Sequence, residues 1–120
     1  MLDLEHIFDK SKYNSIQRNQ FNLLKDLLKE KLTIGHSGGL FVINSEFLSN
    51  LDLLQRKGYD VAVIQDNNDI PTQIDNVGQL LDQCMEKYAQ EMNQAIAEVN
   101  RIRSARTVQE LVKYEFPDKK

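Results

Sequence analysis

The sequence predicts an α+β fold. Two β-hairpins form a small antiparallel sheet, packed with an N-terminal amphipathic helix, a middle helix and a long C-terminal helix. Three observations predict it. Apolar residues recur at helical spacing in three separate stretches. Between those stretches lie two pairs of short β-rich runs, each pair bracketing a polar or glycine-rich turn. The 120 residues, 41% hydrophobic and 28% charged, suit one globular domain over 1–120.

Residues 1–14 read as flexible or as a short helix over 3–10. Ser15 is the predicted N-cap of the next helix, along which Ile16, Phe21, Leu24, Leu27, Leu28 and Leu32 form one stripe. Leu32–Ile34 and Leu40–Ile43 are β-rich and bracket the turn His36-Ser37-Gly38-Gly39 as a hairpin. Ser45 caps a helix through Arg56, which buries Phe47, Leu48, Leu51 and Leu54. Gly58 stands where a left-handed C-terminal residue is expected.

Val61–Ile64 is a compact apolar strand and Asp66–Asp69 a polar turn. Ile70, Thr72 and Ile74 then alternate as a half-buried strand does. Pro71 has no amide hydrogen, so that strand belongs at a sheet edge. Asp75 is the predicted cap of the longest helix, about 76–104. Thr107 and Glu110 fit a capping box that opens a short helix ending near Tyr114, with a frayed tail over 115–120.

Composition removes several function classes. The formal charge is −3, with 15 basic and 18 acidic side chains, so nucleic acid is an unfavoured partner. No apolar run approaches the ~20 residues of a membrane span, and no membrane association is expected. MLDLEHIFDK lacks the basic and apolar regions of a signal peptide. The single Cys84 excludes an internal disulfide and a thiolate zinc site, and suits a reducing cytoplasm or a particle assembled in one.

Gly35-His36-Ser37-Gly38-Gly39 fits G-x-S-x-G, the nucleophile elbow of serine hydrolases. The elbow requires a helix after its serine, and an acid and then a histidine downstream. Here a strand follows Ser37, and the two histidines, His6 and His36, both precede it. No catalytic residue is assigned. A phosphate cradle lacks the Lys-Ser/Thr ending of a P-loop, so a glycine-built hairpin tip is the favoured reading. His36, Ser37, Gly38 and Gly39 remain candidate contacts for a partner or a small ligand.

Asp66-Asn67-Asn68-Asp69 begins like a calcium loop, but Ile70 and Pro71 fall where an oxygen ligand and a glycine are needed. Asx side chains satisfying a tight turn explain it better. Cys84 reads as a buried structural thiol. No cofactor or metal is predicted. Arg101, Arg103 and Arg106 form a basic cluster, read as a solvated helix end or a salt-bridge surface for a partner.

The strongest pattern is on the long helix. Leu81, Met85, Tyr88, Met92, Ala95, Val99 and Ile102 are spaced alternately four and three residues apart, a heptad seam widened by Cys84 and Ile96. Two readings follow: packing against the first helix of the same chain, or self-association and docking to a partner.

The segment from Val61 to Val112 resembles small accessory proteins of large contractile-tailed bacteriophages. The shared features are the Asp66–Pro71 turn leading into a long helix and Arg106-Thr107-Val108 followed by Leu111-Val112. Gly38-Gly39 and Ser45-Glu46-Phe47-Leu48 extend the likeness. It covers about two-thirds of the chain and has no catalytic residues to carry over. It implies an assembly or host-interaction role, in the bacterial cytoplasm or the virion. The combined expectation is a non-enzymatic interaction protein, homo-oligomeric or bound to a protein partner. The alternative is a ligand- or nucleotide-sequestering module that uses the glycine loop.

Overall fold

The structure, a computed structural model, describes residues 4–105, with side chains described from Lys10 onward. The elements run α1 (Leu4–Lys31), β1 (Thr33–His36), β2 (Gly39–Val42), α2 (Ser45–Arg56), β3 (Ala62–Gln65), β4 (Pro71–Ile74) and α3 (Val77–Ser104). The α+β class is as predicted. The predicted capping box at Thr107, the short helix after it, the tail and Arg106 lie outside the described residues.

The chain divides into two compact units, one within Met1–Leu27 and Asn93–Lys120, the other Leu28–Met92. In the first, Leu24, Ile102 and Ala105 are buried, and Tyr13, Ile16, Phe21 and Val99 pack against them. The Tyr13 hydroxyl donates to the Ala105 carbonyl just past the end of α3. This contact explains a correction at Ser15, which is not an N-cap but lies inside one continuous helix. Tyr13 and Ile16 must share a helical surface to reach Ile102 and Ala105, and nothing between Lys10 and Ile16 breaks a helix.

The second unit holds both hairpins. Leu51, Ile74 and Val77 are wholly buried, and Ile43 and Cys84 are 1% exposed. They pack with Leu32, Phe41, Leu48, Leu80 and Leu81 in one core. Full burial of each such aliphatic side chain contributes about 1.5–3 kcal/mol. The stripe predicted for α2 is the one observed, with Leu48 and Leu51 buried and Phe47 and Leu54 packed beside them. Lys31 and Glu91 form a loose ion pair at 3.9 Å at the margin of this unit.

The predicted caps of α2 and α3 each move by one residue. Asn44, not Ser45, caps α2 by accepting from the Phe47 amide at 2.8 Å. Asn76, not Asp75, caps α3 by accepting from the Gln79 amide at 2.9 Å. Asp75 instead accepts from the Gln73 side-chain amide. In each pair two cap-competent residues adjoin, and the asparagine is the one placed three residues before a free amide. The end of α2 is as predicted. Gly58 has φ +87°, Gly58 donates to Gln55, and Tyr59 donates to Leu54, the two bonds of a Schellman motif.

The expected single sheet is instead two two-stranded antiparallel sheets, β1–β2 and β3–β4. The cause lies at the outer edge of β2. Ile43 donates to Leu32, so pairs 32/43, 34/41 and 36/39 bond across the hairpin and Leu40 turns its backbone groups outward. A strand does not meet them. The Leu40 amide donates to Asp66 Oδ2 at 3.1 Å, and its carbonyl accepts from the Asn67 amide at 2.6 Å. The β3–β4 turn occupies the edge that a third strand would have used.

Candidate functional site

The first hairpin closes on the pair His36↔Gly39 with a two-residue loop. Ser37 has φ +52° and Gly38 φ +84°, both left-handed, which makes a type I′ turn. Ser37 therefore sits between two strands, in a strand–turn–strand setting unlike a nucleophile elbow. Gly39 has a separate reason to be glycine. A Cβ there would lie 2.8 Å from Thr72 Oγ1 and 3.2 Å from Asp66 Cβ, so the second hairpin rests on its bare backbone. His36 is half-buried, Ser37 and Gly38 are exposed, and Gly39 is buried.

Asp66 holds that junction. Besides the Leu40 amide, it accepts through Oδ1 from Asn68 at 2.9 Å and Ile70 at 3.0 Å, the Asx-turn role the sequence suggested. It is only 8% exposed. The Ile70 amide, aided by those of Leu40 and Asn68, holds its carboxyl below the usual carboxylate range against the opposing effect of burial. Among the described residues no three His, Cys, Asp or Glu side chains come together as a metal site. His6 lies outside the described side chains.

A shallow cleft of about 210 Å³ opens beside this turn, lined by Phe41, Phe47, Asn44, Asn50, Gln65 and Asn67 with the carboxylates Glu46 and Asp66. The two rings stand 5.4 Å apart. The cleft is smaller than the ~300–1,000 Å³ of ordinary ligand sites. Its most buried polar group, Asp66, already serves three backbone amides.

The helix seam is largely covered by its own chain. Leu81 belongs to the core of the second unit, with Tyr88 and Met92 packed against it. Ile102 belongs to the core of the first, with Val99 beside it, and Ala95 is buried. Met85 alone among the seam residues is half exposed, as is neighbouring Ile96. Of the basic cluster, Arg101 and Arg103 are exposed, and the Arg103 guanidinium lies 6.0 Å from the centre of the Phe21 ring. Cys84 is buried as predicted, and burial pushes its thiol up to about 11.

A surface the sequence reading passed over is the outer side of the second hairpin. Ala62, Ile64, Thr72 and Ile74 turn inward, and Val63, Gln65, Pro71 and Gln73 turn outward. Val63 is 63% exposed, Val61 52% and Tyr59 56%. A signal for it was present. A two-stranded sheet over one core needs alternation, whereas Val61–Ile64 is apolar at all four positions. One side of that run had to face outward.

No protein family, curated protein or solved structure matches the chain. No helix among the described residues is long and apolar enough to cross a membrane.

Proposed function

We propose that the chain is a non-enzymatic protein-interaction protein, a small structural component or assembly factor, that works as a homo-oligomer or on a protein partner. One observation carries the reading. The second hairpin and the segment leading into it carry Val63, Val61 and Tyr59, each more than half exposed, and Asp66 holds the hairpin's turn. Large apolar side chains gathered on an ordered element mark contact surfaces, whereas scattered ones do not. The heptad seam contributes less than its sequence pattern suggests, because most of it packs within the chain. Met85 is its half-exposed member, and Ile96, which widens the stripe, is half exposed too. The resemblance to accessory proteins of tailed bacteriophages supports this role, exercised in the host cytoplasm or the virion.

Light scattering across a concentration series and affinity capture from host extract, run on the wild type and on Val63→Lys, test the proposal. The expected result is an assembled mass, or a specific partner, that the lysine variant loses while its melting temperature stays put. A wild type that is monomeric throughout, and captures the same proteins as the variant, would refute it.

A further inference from the structure

The edges of the second hairpin differ in a way that names a partner. The Asp66 backbone amide donates to the Ile70 carbonyl, so 66/70, 64/72 and 62/74 are the hydrogen-bonded pairs of the β3–β4 ladder. Val63, Gln65, Pro71 and Gln73 therefore point their backbone groups away from the hairpin. On β4 that outer edge is blunted, because Pro71 has no amide to offer. On β3 it is not. From Val61 to Gln65 there is no charge, proline or glycine, the devices by which edge strands ordinarily avoid pairing. Among the described residues no backbone group bonds the outward groups of Val63.

We infer that two copies of the chain pair antiparallel along the free edge of β3, with Val61 of one copy opposite Val63 of the other. This rests on the interaction reading above and names its partner as a second copy. The outward groups belong to odd-numbered residues, so odd residues must pair with odd residues across a two-fold axis.

Three such registers set Val63 opposite a residue of Val61–Gln65. Val63 opposite itself would set Asp60 beside Asp66 of the second copy, like charge against like. Val63 opposite Gln65 would leave Val61 without an apolar neighbour. The third register sets Val61 against Val63 twice and gathers four β-branched side chains on one face, a favourable cross-strand pairing. The product is a four-stranded sheet, whereas an isolated pair of strands is only marginally stable.

Val63→Pro removes the central outward amide without touching a bond inside the hairpin. It is expected to weaken self-association at least about tenfold, the equivalent of one or two lost hydrogen bonds. Because proline can also disturb the fold, a second measurement uses single-cysteine additions. Opposed residues in such a pair have Cα atoms about 5.5 Å apart, within disulfide range. A mixture of Val61→Cys and Val63→Cys chains should oxidise to a cross-linked dimer far faster than either variant alone, with the buried Cys84 of the wild type as the blank.

Cross-linking no faster in the mixture than in the separate variants overturns the register. A wild type that stays at one copy at all concentrations overturns the pairing itself. If the wild type instead binds another protein through this face, and Val63→Lys abolishes that binding, the pairing falls while the interaction reading stands. If neither self-association nor partner binding responds to Val63, both fall.

Discussion

Gly39 and Asp66 face one another across the two hairpins, and each is constrained by the other's presence. Gly39→Ala would press a methyl group to 2.8 Å from Thr72 Oγ1, on a buried threonine whose hydroxyl already donates to the Ile70 carbonyl. Overpacking of that kind costs about 1–3 kcal/mol. Denaturant titration of the variant should show it as a lowered midpoint with an unchanged slope.

Cys84 illustrates a different residue-scale constraint. Its thiol is 1% exposed and pushed up to about 11, so the folded chain favours the neutral form. Its contribution to stability is intact below the ordinary value of 9.0 and is lost as pH rises through about 11. A thiol reagent at neutral pH should leave Cys84 unmodified in the folded protein and modify it on unfolding. Rapid modification under native conditions would contradict the buried assignment.

At the scale of elements, the turns and caps carry predictions of their own. Asn44→Ala and Asn76→Ala each remove the acceptor for one helix-initiating amide, at about 1 kcal/mol apiece. Ser45→Ala and Asp75→Ala should cost less, which thermal melts of the four variants would show. Ser37 occupies the first left-handed position of a type I′ turn, where asparagine is better tolerated. Ser37→Asn should therefore stabilise the hairpin by about 0.5 kcal/mol. A loss of stability would place a demand on the hydroxyl that the turn geometry does not.

Element type and order were legible in the sequence because apolar periods of 3.6 and 2 are local properties. The Schellman end at Gly58 and the edge position of Pro71 were legible for the same reason. The unbroken helix through Ser15 was not, since Tyr13 reaches a carbonyl 92 residues away. Nor was the separation of the two sheets, which depends on one carboxylate meeting one strand edge. The apolar outer side of β3 lay in plain view as a run of four apolar residues, but periodicity alone does not say which side is in.

At the scale of the whole molecule, the same junction contributes to the response to acid. Asp66 bridges the hairpins as a carboxylate with its titration held low, so its stabilisation is present above the ordinary value of 3.8. It is lost as pH falls through the lowered folded value. Asp66→Asn keeps the shape but puts an amide where an acceptor is needed by Leu40 or by Asn68 and Ile70. The variant should be less stable at neutral pH and flatter in its acid limb, as unfolding midpoints across pH would record. A variant equal to the wild type at neutral pH would remove Asp66 from its place in the account.

The outward face of the second hairpin, joined to the first hairpin through Asp66, is the proposed contact with a second copy. Residue-resolved hydrogen exchange on the unmodified protein at low and high concentration tests this most directly. The Val63 amide points away from its own hairpin. Its exchange should slow as concentration rises, together with that of Val61, while amides of the buried core keep their rates. Exchange at Val63 that stays fast and independent of concentration, in a chain shown to self-associate, would contradict the account.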